Sequence, residues 1–151
     1  MGIRAVIFDD DPLIRQLLEA VCEMRGYEVF TFHHPDMFPP HAANCCPCQS
    51  GIRCTDVIIS DLRMPNVNGL DFLEGLKRKG CRNPHYALTS GHWTEAAMSR
   101  AKQLGCKVFS KPFRIRDITQ WLDEVEASIV PERELLNWNK MERIINPTEP
   151  G

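Results

Sequence analysis

Carboxylates directly follow two apolar runs of this chain, and a lysine directly follows another. Asp9, Asp10 and Asp11 come after residues 3–8, Asp61 after Val57, Ile58, Ile59 and Ser60, and Lys111-Pro112 after Val108 and Phe109. If each run is a buried strand, these groups end strands of one parallel sheet and converge on the edge where open α/β folds bind ligands. Carboxylates gathered there repel one another, and a divalent cation relieves the repulsion and bridges to a phosphate. Magnesium needs only a few oxygen ligands and keeps several waters, so Asp9, Asp10 and Asp61 are candidate ligands for Mg2+ or Mn2+. Asp61 is the candidate nucleophile, because carboxylates form aspartyl phosphates. Thr89, expected at another strand end, can donate to one phosphate oxygen, and Lys111 can pair with a second as a compact positive charge. A lone Asp after a strand is ordinarily a turn residue or a helix cap, and a lone Lys-Pro a solvated loop. The joint placement after the first, third, fourth and fifth strands is what points to a site.

The elements that must position these groups follow from periodicity. Strands are expected over 3–8, 28–32, 56–60, 85–89 and 107–110, alternating with helical segments, which is the pattern of a parallel sheet covered by helices. The first helix has Asp11 as cap, Pro12 at its first position, Leu13, Leu17, Val21 and Met24 along one face, and Gly26 as its stop. A second follows Asn68-Gly69 with Leu70, Leu73 and Leu76 on one side. The next starts at Thr94 and stops at Gly105. The helix after Pro112 carries Ile115, Ile118, Leu122, Val125 and Ile129 at spacings of three and four. One domain is therefore expected over 1–130, with 33–55 as an insertion, and 131–151 form an extension in which Leu135, Trp138, Met141 and Ile145 suit a short amphipathic helix.

Bulk composition narrows the partners. The chain has 151 residues with 18 basic and 20 acidic side chains, a formal net charge of −2, so neither a basic field for nucleic acid nor an acidic disordered tract is present. The N-terminus has no long apolar leader, and no stretch approaches the roughly 20 apolar residues of a membrane span. A soluble cytoplasmic protein without direct nucleic-acid or membrane contact is expected. In that setting the seven cysteines argue for reduced thiols or metal rather than a disulfide framework.

One connection breaks the rhythm. Between Phe32 and Asp56, where a helix belongs, residues 33–55 carry Pro35, Pro39, Pro40 and Pro47, which disfavour a full helix. The same insertion holds Cys45, Cys46, Cys48 and Cys54 beside His33, His34 and His41, ligand types that zinc accepts. Adjacent cysteines and a Cys-x-Cys are not the usual zinc knuckle spacing, so free thiols, a Zn2+ site drawn from Cys45, Cys46, Cys48, Cys54 and His41, and redox sensing all stay open. Cys22 lies on the pattern of the first helix as a small core residue.

Four segments together resemble the receiver domain of two-component response regulators: Ile-Phe-Asp9-Asp10-Asp11-Pro12-Leu-Ile-Arg15, Asp61-Leu-Arg-Met64-Pro65-Asn-Val-Asn68-Gly69, Leu88-Thr89-Ser90-Gly91 and Val-Phe-Ser-Lys111-Pro112-Phe113. The resemblance implies an α/β, flavodoxin-like fold with a five-stranded parallel sheet in the order 2-1-3-4-5, helices on both faces and an irregular loop replacing or shortening the second helix. It also implies Asp61 as phosphoacceptor, Asp9 and Asp10 as magnesium ligands with the Arg63 carbonyl, and Thr89 and Lys111 as phosphate contacts. The implied donor is a phosphohistidine on a sensor histidine kinase or a histidine phosphotransfer protein, and the output is protein contact with an unknown downstream protein. Val108 stands where the family often carries an aromatic ring. Two rivals remain. The Asp9-x-Asp11 start also resembles haloacid-dehalogenase phosphatases, with Asp9 as nucleophile, but no late acidic pair follows Lys111. A pseudo-receiver would keep the fold without the chemistry.

Overall fold

The computed structural model describes residues 2–38, 46, 48 and 51–137. Five strands form one parallel sheet: β1 (Arg4–Phe8), β2 (Glu28–Phe32), β3 (Val57–Asp61), β4 (His85–Ser90) and β5 (Lys107–Ser110). Their spatial order is β2-β1-β3-β4-β5, as expected, with every neighbouring pair parallel. Four helices connect or follow them: α1 (Pro12–Met24), α2 (Gly69–Arg78), α3 (Glu95–Gln103) and α4 (Ile115–Ser128).

Side chains alternate across a strand, so a sheet covered on both faces needs two cores. Ile7, Ile59, Ala87 and Phe109 point to one side, where Leu18, Val21 and Cys22 of α1 meet Ile118, Trp121, Leu122 and Val125 of α4. Val6, Phe8, Ile58 and Leu88 point to the other, against Leu70, Leu73 and Leu76 of α2 and Ala101 of α3. The helix starts are capped by the residues that the sequence marks. Asp11 accepts from the Leu13 amide at 2.9 Å, Asn68 from Leu70 at 2.8 Å, and Thr94 from Ala97 at 3.1 Å.

The buried stripe of α1 is not the one expected. Leu13 is 74% and Met24 88% exposed. Leu17 and Leu18 offer two competing apolar stripes, and packing on β1 selects the one through Ile14, Leu18, Val21 and Cys22. In α4, Ile115 is likewise 50% exposed, being the first helical residue, while Ile118, Leu122, Val125 and Ile129 are buried.

After β2 the described residues hold only a 3-10 turn at Pro35–Met37 and a two-residue strand at Ile52–Arg53. Phe38 and Cys46 fill the face that a helix would otherwise cover, with Phe38 edge-on to Phe8 at 5.2 Å. Ile52–Arg53 pairs in parallel with Glu134–Leu135, so Leu135 lies in a strand. Trp138, Met141 and Ile145, the rest of the expected C-terminal helix, lie outside the described residues. The extension is seated by Arg133, whose guanidinium grips the fully buried Asp56 through two contacts of 2.7 Å. Arg4 adds a bond of 2.7 Å to the Leu136 carbonyl.

Candidate functional site

The register of the sheet brings the separated motifs together. Asp61 is paired with Thr89 across β3 and β4, and Phe8, just before Asp9, lies beside Ser60. All these residues end strands on the C-terminal edge, and the loops leaving them carry Asp10 and Lys111. One carboxylate oxygen from each of Asp9, Asp10 and Asp61 falls within a 4.8 Å cluster. Asp9 is fully buried, Asp61 is 7% exposed and Asp10 faces solvent.

Lys111 completes the cluster. Its Nζ lies 3.2 Å from Asp9 Oδ2 and 3.2 Å from Asp61 Oδ2. It is placed by the end of β5, where its backbone amide donates to Ser90 O at 2.8 Å. Burial works against the lysine's charge, but the charges of Asp9 and Asp61 outweigh it and hold its pKa up. Burial also pushes the Asp9 carboxyl above its ordinary range; the Asp11 amide and Lys111 offset this in part, while Asp61 adds to it. Asp9 is thus a carboxylate crowded enough to gain from further positive charge.

Two backbone details keep Asp61 in place. A small hairpin, Arg63–Met64 against Val67–Asn68, turns through Pro65 and Asn66, with Asn66 at φ 63° as the third residue of such a turn requires. Gly69 then passes so close that a Cβ there would lie 2.6 Å from the Asp61 carbonyl oxygen. The glycine is therefore fixed by close approach, not by an unusual φ. Opposite, the Thr89 hydroxyl is buried and has no hydrogen-bond partner among the described residues. A buried hydroxyl in that state is incomplete without an acceptor.

Sequence reasoning missed Arg15 and Cys81. Arg15 Nη1 donates to the Asp9 carbonyl at 2.7 Å, a long reach back from α1. Trp93 is half-buried, its indole N–H donating to Phe109 O at 3.1 Å, whereas neighbouring His92 is exposed. Cys81 joins Cys46, Cys48 and Cys54 in a second cluster away from the acidic edge. Of the thiol-loop candidates, His41 and Cys45 lie outside the described residues. His34 instead turns toward the hairpin and bonds Pro65 O at 2.7 Å.

A doubly wound parallel sheet with an acidic, lysine-bridged C-terminal edge defines the receiver class of signalling domains. Residues 5–123 match the family described as the response regulator receiver domain, and the chain belongs to that family. Receiver domains bind Mg2+ at an acidic pocket of this kind. The DNA-binding transcriptional regulator NtrC of Proteus hauseri is 30% identical over 139 residues, covering 92% of this chain and 27% of that protein. The chain thus spans about a quarter of the length of the NtrC relatives it matches. Among solved structures, the non-phosphorylated HemR receiver domain of Leptospira biflexa has a TM-score of 0.70 at 21% identity, over 85% of this chain and 98% of that one. The chemotaxis protein CheY4 of Vibrio cholerae has a TM-score of 0.67 at 22% identity, over 83% and 99%. These two likenesses show the fold. Among the described residues no helix is long and apolar enough to cross a membrane.

Proposed function

We propose that Asp61 is the phosphoacceptor of a two-component response regulator, and that the donor is a phosphohistidine on a sensor histidine kinase or a histidine phosphotransfer protein. The observation that carries this reading is the Lys111 ammonium, equidistant at 3.2 Å from Asp9 and Asp61. The unpartnered Thr89 hydroxyl on the adjoining strand supports it. Asp9, Asp10, Asp61 and the backbone carbonyl of Arg63 are the ligands we assign to Mg2+ or Mn2+, and an all-oxygen donor set suits either ion. When bound, the cation supplies charge neutralisation for the carboxylates and the incoming phosphoryl oxygens.

In the reaction an Asp61 carboxylate oxygen forms a bond to phosphorus as the P–N bond to the donor's imidazole breaks. The electron pair stays on the imidazole nitrogen, which takes a proton from solvent. Lys111, freed from pairing with Asp61, compensates one phosphoryl oxygen, and Thr89 donates its hydroxyl hydrogen to another. Water later hydrolyses the acyl phosphate and restores Asp61. The phosphorylated edge then signals through protein contacts in the cytoplasm, without direct nucleic-acid or membrane binding.

The test is intact-mass measurement after incubation with a small phosphodonor. One phosphoryl group is expected on the native chain with Mg2+ or Mn2+, none after chelation, and none on Asp61→Asn. Labelling that survives Asp61→Asn and vanishes with Asp9→Asn would favour the phosphatase chemistry. No labelling at all would leave a pseudo-receiver.

A further inference from the structure

At the opposite end of the molecule, four sulfurs from three parts of the chain meet. Cys46 Sγ lies 3.4 Å from Cys48 Sγ and 3.9 Å from Cys54 Sγ, and Cys54 Sγ lies 3.8 Å from Cys81 Sγ. All four fall within 4.8 Å of one another, and none is in a disulfide. Four thiolates around one zinc ion, with bonds of about 2.3 Å in a tetrahedron, stand about 3.8 Å apart. The spacing therefore fits a single ion. It is too wide for a disulfide, whose sulfurs are about 2.05 Å apart. A multinuclear iron–sulfur cluster, which takes each thiolate on a different iron, would spread the sulfurs further.

Thiols are weak donors and weak acceptors, so contacts of this kind give little reason by themselves to gather four sulfurs, Cys46 standing against both Cys48 and Cys54. Cys48 has a donor suited to a thiolate: the Cys54 amide donates to its sulfur at 3.2 Å. A further donor waits nearby. The Tyr86 hydroxyl is buried without a hydrogen-bond partner among the described residues. A thiolate set would give that O–H an acceptor.

The backbone holds the four ligands on one scaffold. Cys54 precedes β3 and Cys81 precedes β4, so both lie at the N-terminal edge of adjacent strands. Cys81 is also tied to the end of α2 through its amide and Leu76 O at 3.0 Å, and the Cys46 amide reaches Lys79 O at 2.7 Å. Cys54 is fully buried and Cys46 6% exposed, Cys48 and Cys81 are part-buried, and four protein sulfurs leave a tetrahedral ion no open position for water. Such closure is the mark of a structural rather than a catalytic site.

We propose that Cys46, Cys48, Cys54 and Cys81 form a closed four-thiolate site for one tetrahedral metal ion, zinc or iron. Each thiol releases its proton to solvent as its sulfur takes the metal bond. The ion fastens Cys46 and Cys48 to Cys54 ahead of β3 and to Cys81 beyond the end of α2. Cys81 takes the place that the sequence offered to Cys45 or His41.

The experiment is elemental analysis of the full chain purified without chelator or metal-affinity steps, followed by thiol labelling and peptide mapping. About one zinc or iron per chain is expected, with Cys46, Cys48, Cys54 and Cys81 protected until a strong chelator is added. Iron would show visible absorption and zinc none, which separates the two. Cobalt exchanged into the native chain should give the intense visible bands and sulfur charge-transfer absorption of a tetrahedral thiolate site, a readout needing no variant. Cys81→Ser should lose the ion, and Cys106→Ser should keep it. Metal retained at full stoichiometry by a folded Cys81→Ser would overturn the ligand set. Metal far below one per chain even after zinc is supplied, with all four thiols freely labelled, would overturn the site altogether.

Discussion

Arg133→Met would strand a carboxylate that has no path to water. Asp56 is fully buried, and its oxygens accept from Arg133 Nε and Nη2 at 2.7 Å each and from the Arg4 amide at 3.0 Å. Methionine keeps much of the apolar stem but leaves Asp56 with the amide alone among these donors. Breaking one side of a buried ion pair costs about 3–5 kcal/mol, because the remaining charge is uncompensated. In a chain of this size 1 kcal/mol moves the thermal midpoint by about 2–4 °C, so a fall of about 6–20 °C is expected. Circular dichroism during heating and urea titration would read it. Asp56→Asn placed in the Arg133→Met background should recover part of the loss, since an amide needs less compensation than a carboxylate. Asp56 lies five residues before Asp61, just ahead of β3 and about 16 Å away, so Asp61 phosphorylation measured well below the lowered midpoint should persist. A fall under about 2 °C would refute the reasoning, because it would mean that residues 131–137 are not seated on the sheet edge as the geometry requires.

Gly69→Ala should destabilise by about 1–3 kcal/mol through overpacking against the Asp61 carbonyl, despite a helix-propensity gain of up to about 1 kcal/mol. An unchanged urea midpoint would show that the hairpin can retreat. Thr89→Val removes a buried hydroxyl that has no partner, so stability should hold or rise slightly, while phosphodonor labelling slows about tenfold or more. A large stability loss with unchanged labelling would make Thr89 structural. His85 is held below its ordinary pKa of 6.5, first by burial and then by Arg53. The unfolded chain therefore binds this proton more readily, and stability is lost as pH falls from above 6.5 through the folded value. Thermal midpoints taken at about pH 7.5 and about pH 5.5 should fall less for His85→Gln than for the native chain; equal falls would sink that assignment.

The C-terminal edge was legible in the sequence because its residues are tied to strand ends. Once strands 3–8, 56–60, 85–89 and 107–110 were recognised, a parallel sheet had to carry Asp9, Asp61, Thr89 and Lys111 to the same side. Local caps were equally legible, since Asp11, Asn68 and Thr94 act within three residues of themselves. Three things were decided only by tertiary packing. Which of two apolar stripes on α1 faces the core depended on the sheet beneath it, not on the helix. The partner of Asp56 came from Arg133, 77 residues away, and nothing in local pattern encodes that distance. Cys81, separated from Cys54 by the whole of β3 and α2, had no spacing motif to announce it, although both cysteines precede adjacent strands and so share an edge. Sequence determines what short-range bonding and periodicity can carry; contacts made by chain segments that meet only when the sheet closes belong to the tertiary structure.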